Sequence, residues 1–156
     1  MKSPKTTSII EVENNIRVEF VSGLAQPLLA QSILDSINAT SAGEHSNITS
    51  LNIVLGNDEF LQQLNKDFRG YDEPTDVLAF DLCEESSETV EGDIYISLDR
   101  ALAQATERGE KASRETIRLA VHGFLHLCGW DHDDEDSLKS MVECGEKYIV
   151  DLQEGS

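Results

Sequence analysis

Three histidines within eleven residues, His122, His126 and His132, constrain this chain more than any other feature. They lie in the segment Val121-His122-Gly123-Phe124-Leu125-His126-Leu127-Cys128-Gly129-Trp130-Asp131-His132. On a helix the first two are one turn and about 40° of azimuth apart, so both imidazoles reach one point. Gly129 follows the last helical position, where a left-handed residue commonly ends a helix. There the chain can reverse and carry His132 back over the same face. Three nitrogens then converge on a tetrahedral ion and leave its fourth position open, as in catalytic rather than closed structural zinc sites. Imidazole suits zinc, although nickel or copper would accept the same set. One histidine on a helix is usually a packing or surface residue, and a pair at i, i+4 decides little. The third, past a glycine turn, makes the case for one bound ion.

That helix needs a scaffold, and the rest of the pattern describes one. Residues 9–20 read as a strand or two with a turn at Asn14-Asn15, and 24–37 as a helix with Pro27 near its start. Residues 41–46 read as a loop and 48–55 as a central strand. Asn57-Asp58 caps a short helix carrying Phe60, Leu61, Leu64 and Phe68. Gly70 and Pro74 force a loop over 69–75 before a strand at 77–82. The acidic run 84–91 reads as a solvated loop or hairpin tip, 93–97 as a further strand, and Asp99 as the start of a helix. From 113 to 128 the residues Ile117, Ala120, Val121, Phe124 and Cys128 form one apolar arc, with the histidines opposite it. After the acidic turn 133–136, Leu138, Met141, Val142, Ile149 and Leu152 line a final helix. The expectation is one α+β domain over residues 1–156, a roughly four-stranded mixed sheet with about five helices, one of them a zincin-like metal helix.

Bulk properties narrow the class. No run of 18 or more apolar residues exists, which argues against a membrane span, and the polar N-terminus leads into no leader-like apolar stretch. Cys83, Cys128 and Cys144 form no close pair, so reduced thiols and a cytoplasmic setting are expected. The net charge of −18 should repel nucleic acid unless basic residues are grouped. Arg100, Arg108, Lys111, Arg114 and Arg118 are grouped, just before the histidines, but Glu107, Glu110 and Glu115 are among them. An ion-paired, solvated helix face accounts for that grouping as well as a polyanion groove does.

The ligand spacing matches the metzincin peptidases, H-E-x-x-H-x-x-G-x-x-H, in every ligand and in the glycine. The glutamate that serves those peptidases as general base does not match; Gly123 stands there. Closer still, the segment resembles the signature of the YbeY family, approximately H-G-x-L-H-L-x-G-Y-D-H, with Trp130 where tyrosine is usual. The stretch from Leu64 through Arg69-Gly70-Tyr71-Asp72-Glu73-Pro74-Thr75-Asp76 to Phe80 resembles the family's L-N-x-x-[YF]-R-G-x-D-x-P-T-D-V-L-S-F, with Ala79 for serine. Gly92-Asp93-Ile94-Tyr95-Ile96-Ser97 echoes a third family segment. The likeness spans about residues 50–132.

The resemblance implies a zinc-dependent, single-strand-specific endoribonuclease acting in ribosomal RNA processing, at the 3′ end of 16S rRNA, and in ribosome quality control. It implies single-stranded and ribosomal RNA as partners, with ribosomal proteins or ribosome-associated GTPases besides. It also carries the family's functional arginine onto Arg69. A guanidinium in a Gly/Pro-bounded loop is suited to a bidentate grip on phosphate, whereas the plainer reading pairs Arg69 with Asp67 or Asp72. Asp76 reads as a brace for that loop, Asp131 as a turn or ligand-orienting residue, and Cys128 as core. Two other readings stay open: a metallopeptidase-like zinc hydrolase with an unusual base, and a non-catalytic ribosome-assembly module holding a metal.

Overall fold

The computed structural model describes residues 8–21, 23–83 and 89–152. Its elements run β1 (Ser8–Glu13), β2 (Ile16–Phe20), α1 (Pro27–Gly43), β3 (Asn47–Gly56), α2 (Asp58–Arg69), β4 (Val77–Asp81), β5 (Thr89–Ser97), α3 (Leu98–Arg108), α4 (Ala112–Leu127) and α5 (Glu135–Glu146). The α+β expectation holds, with five strands rather than four, because Asn14 and Asn15 both adopt positive φ and fold residues 8–20 into a hairpin. The sheet order is β1-β2-β3-β5-β4, with β2-β3-β5 parallel and both outer pairs antiparallel. β4 is therefore an edge, and it lies beside the site described below.

Alternation along β5 sorts the layers. Ile94 and Ile96 are fully buried on the face that takes α4, whereas Tyr95 meets Phe60 of α2 at 6.2 Å and Phe80 of β4 at 5.8 Å between ring centroids. So α4 and α2 lie on opposite faces of the sheet. α4 also packs on α1, α3 and α5, which makes it central to the fold. The single apolar arc expected for it understates this: Leu119, Gly123, Leu125 and Leu127 are buried as well. Only the strip Arg114, Arg118, His122 and His126 is half-open along its later turns, at i, i+4 spacing.

Other boundaries shift for local reasons. α1 runs on through residues 41–43, expected as loop, and Ser36 and Thr40 donate to the carbonyls of Ser32 and Ser36 at 2.8 and 2.7 Å. Small polar residues that look loop-like thus sit inside a buried helix with their hydroxyls satisfied. Ser97 caps α3, so that helix starts at Leu98. Within the acidic run, residues 84–88 lie outside the described residues, while Thr89, Val90 and Glu91 belong to β5. α5 ends at Glu146; Ile149 and Leu152 pack on the core from beyond it.

The basic cluster is spent on acids. Arg118 reaches Glu110 and Glu146, both at 2.8 Å, and Glu115; Arg114 reaches Asp151 at 2.6 Å; Arg108 reaches Glu115 at 3.5 Å; and Arg100 reaches Asp58 at 3.2 Å. The ion-paired reading of these arginines is the one the structure shows, although the Arg118–Glu115 pair at its centre is largely buried rather than solvated. Glu115 is 1% exposed, so Arg118 is what makes its burial tolerable. Arg118→Met should therefore cost about 3 kcal/mol, near the lower end for a broken buried pair because Glu110 and Glu146 stay part-solvated. Thermal unfolding should show a fall in Tm of about 9 °C; a change within about 2 °C would contradict the role assigned to the pair.

Candidate metal centre

α4 ends in a Schellman turn. Trp130 N–H donates to the Leu125 carbonyl at 3.0 Å and Gly129 N–H to that of His126 at 3.0 Å, with Gly129 at φ 105°. The reversal returns the chain over the helix, and Asp131 Oδ1 accepts the His132 backbone N–H at 2.8 Å. Asp134 then caps α5 with Ser137 in a capping box. Asp131 is thus a turn residue, the reading expected for it.

The three imidazoles meet. Ring centroids lie 4.8 Å apart for His122 and His126, 5.3 Å for His126 and His132, and 5.8 Å for His122 and His132. One nitrogen from each falls within 4.8 Å of the others, and among the described residues no fourth histidine, cysteine or carboxylate joins the set. Zinc–nitrogen bonds of about 2.0–2.1 Å need nitrogens about 3.4 Å apart, a separation that small ring rotations supply. Two of the rings are also held in the state a metal needs. Burial, with His126 and His132 adding to it, pushes the His122 imidazole down to about 4, so its lone pair is available at neutral pH. Burial lowers His126 too. His126 Nδ1 lies 3.1 Å from the Trp130 carbonyl, an acceptor, which places the proton on Nδ1 and leaves the Nε2 lone pair free. The donor set fits a divalent, imidazole-preferring metal. No sequence pattern marks the Trp130 carbonyl; it becomes a partner only through the Schellman turn.

Trp130 is itself held. Its indole N–H donates to Glu44 Oε1 at 2.7 Å, and Glu44 Oε2 accepts from Tyr148 at 2.6 Å and lies 3.7 Å from Cys144 Sγ. Burial raises the Glu44 carboxyl, but these hydrogen bonds outweigh it and hold it below the usual range. Cys128 is half-buried against the core, its thiol raised by burial.

Arg69 arrives from the other layer. Gly70, at φ 78°, ends α2, and Arg69 just before it lines a cleft with Val77 and Ala79 of β4 and with α4. Asn65 Nδ2 donates to the Glu73 carbonyl at 3.0 Å, and Asp76 accepts from Val77 N–H at 2.7 Å and from Gln104 at 3.1 Å, so the loop is braced as expected of Asp76. Asp67 and Asp72 take amide protons from Gln63 and Gln62, and among the described residues no carboxylate pairs with Arg69. Exposed and unneutralised, Arg69 shares a cleft of about 330 Å³ with Val77, Ala79, His122, Gly123 and His126.

Gly123 has a packing reason. A Cβ there would stand 2.9 Å from Ile94 Cγ2, a branched atom of a buried strand that has little freedom to retreat. Any side chain at this point of α4 therefore costs packing, because helix and sheet approach closely there. Gly123→Ala should lose about 1 kcal/mol net, overpacking of ~2 kcal/mol against ~1 kcal/mol of helix propensity regained. Denaturant titration reads it as a lower midpoint at unchanged slope; a stabilised variant would refute the close approach.

A family model described as "Endoribonuclease YbeY" matches residues 12–153. A protein named Endoribonuclease YbeY from Synechococcus sp. (strain JA-3-3Ab) is 46% identical over 114 residues, covering 67% of this chain and 69% of its own. Its namesake from Carboxydothermus hydrogenoformans is 37% identical over 121 residues, covering 78% and 85%. The solution structure of TM1509 from Thermotoga maritima aligns with TM-score 0.63 and 31% identity over 86% of each chain.

Proposed function

The chain belongs to the YbeY endoribonuclease family, and from that premise we propose that it hydrolyses phosphodiester bonds of single-stranded RNA, ribosomal RNA in particular, at the cleft between Arg69 and the histidine triad. The observation that carries this reading is the shared cleft: an unpaired guanidinium and the half-open side of a three-imidazole centre face one space. A phosphodiester needs both, since its non-bridging oxygens carry the charge that grows during attack.

Each residue has a definite task. Arg69 donates two parallel N–H bonds to the non-bridging oxygens and fixes the phosphate against the triad. His122, His126 and His132 hold one divalent ion, zinc first by donor type, which when bound supplies Lewis acidity toward the phosphate. The Trp130 carbonyl fixes the His126 tautomer. Asp76 has both carboxylate oxygens engaged and positions the loop rather than serving as a base. With Gly123 where a peptidase base would stand, no side chain of α4 takes the proton, and slow turnover follows. The same glycine argues against the peptidase reading.

Partners follow from charge. With the α3–α4 arginines committed to acids, little basic surface remains to hold RNA on a chain of charge −18. A ribosomal protein or ribosome-associated GTPase would supply the missing affinity. Among the described residues no helix is long and apolar enough to cross a membrane, and Cys128 and Cys144 as thiols suit a reducing cytoplasm. The test is cleavage of single-stranded RNA, double-stranded RNA and casein by the metal-loaded chain, with and without chelator. Chelator-sensitive cutting of the single strand alone is expected; cutting of casein, or metal-replete chain inert toward RNA even with ribosomes added, would overturn the reading.

A further inference from the structure

A second cleft opens on the other side of His122. It encloses about 310 Å³ among α3, α4 and α5 and shares His122 and Val77 with the cleft that Arg69 lines. Its floor is aliphatic: Leu119, Leu125 and Met141 are buried, while Leu138 and Val142 stand 38% and 39% exposed at its mouth. The charges around it balance, since Arg108 and Arg118 both pair with Glu115 and Asp76 adds a further negative group. Such a cleft has no surplus positive charge for a phosphate. It suits a flat, neutral group with an apolar face and a few polar edge atoms.

One edge partner is already oriented. Gln104, half-buried in the wall, donates its amide nitrogen to Asp76 Oδ2 at 3.1 Å. A carboxylate only accepts, so the amide cannot be turned round. Its carbonyl oxygen, which has no partner among the described residues, is left to receive an amino group.

We propose that this cleft takes the base of the nucleotide next to the phosphate held at Arg69, and that it favours bases bearing an exocyclic amino group over uracil. The proposal rests on the RNA reading of the Arg69 cleft and adds to it a source of base preference. A strand running past His122 would place phosphate on one side of that ring and base on the other.

Free nucleosides, which carry no phosphate, test the cleft without any cleavage. Titrated into the full chain, adenosine and cytidine should shift the methyl resonances of Leu119, Leu125, Met141 and Val142, with uridine about ten-fold weaker. Val142→Trp fills the mouth and should abolish the response; Leu138→Trp repeats the test should the first variant fail to fold. Absence of shifts with every nucleoside, or equal shifts that survive both fillings, overturns the proposal. In single-stranded RNA, an abasic residue beside the cut should slow cleavage by metal-loaded chain about ten-fold, ~1.4 kcal/mol, on one side only. Val142→Trp should erase that difference. Nucleoside shifts without cleavage of any RNA would support the base cleft and sink the nuclease reading, and cleavage indifferent to the abasic residue would do the reverse.

Discussion

Substituting His126 with alanine is expected to strip the chain of its ion and to lower RNA cleavage by at least about 10³-fold, some 4 kcal/mol of transition-state stabilisation. The reasoning is geometric. His126 is the middle ligand, with its ring 4.8 Å from that of His122 and 5.3 Å from that of His132. It is also the ring whose tautomer the backbone sets. Removing it leaves two imidazoles on different elements, one of them on an exposed turn. Metal content of the purified variant, with single-turnover cleavage measured beside it, checks the expectation. One ion still bound per chain, or cleavage within ten-fold of the parent, would refute the assignment of the centre.

Arg69→Ala is expected to separate the two halves of the site. Metal content should stay at one per chain, because Arg69, the last residue of α2 rather than the first of the loop, makes no hydrogen bond to the three histidines, while cleavage falls by about 10²–10³. Stability should change by less than ~0.5 kcal/mol, since Arg69 is exposed and unpaired. Arg69→Lys should recover little, because an ammonium cannot reproduce the planar two-pronged grip. A variant that cleaves as the parent does but no longer associates with ribosomes would instead favour the binding-module reading.

What could be read without coordinates follows from how local each signal is. The triad was legible because a helix turn and a glycine reversal are short-range geometry, and His132 returns where Gly129 sends it. Arg69 came through the family resemblance alone. Nothing in the spacing says that a residue ending α2, on one face of the sheet, rounds the β4 edge to meet α4 on the other. The burial of α4 was underestimated for a similar reason: a helix packed on a sheet and three helices has no single apolar arc to display. The turn at Asn14-Asn15 is local and shows in the sequence, whereas the inward place of Ser36 does not, because the Val150 N–H that donates to it lies far along the chain. In the sequence Gly123 shows only as a missing base, and the approach of Ile94 supplies the packing cause.

The bond between the Trp130 indole and Glu44 has a practical corollary. The chain contains a single tryptophan, and it sits within the turn that returns His132 to the triad, its carbonyl against the His126 ring and its side chain against a carboxylate from α1. Its emission is therefore a built-in optical gauge of that turn and of the Glu44–Tyr148 pair bonded behind it. Ion loading, histidine substitutions and changes at Tyr148 can all be followed by it without attaching a label.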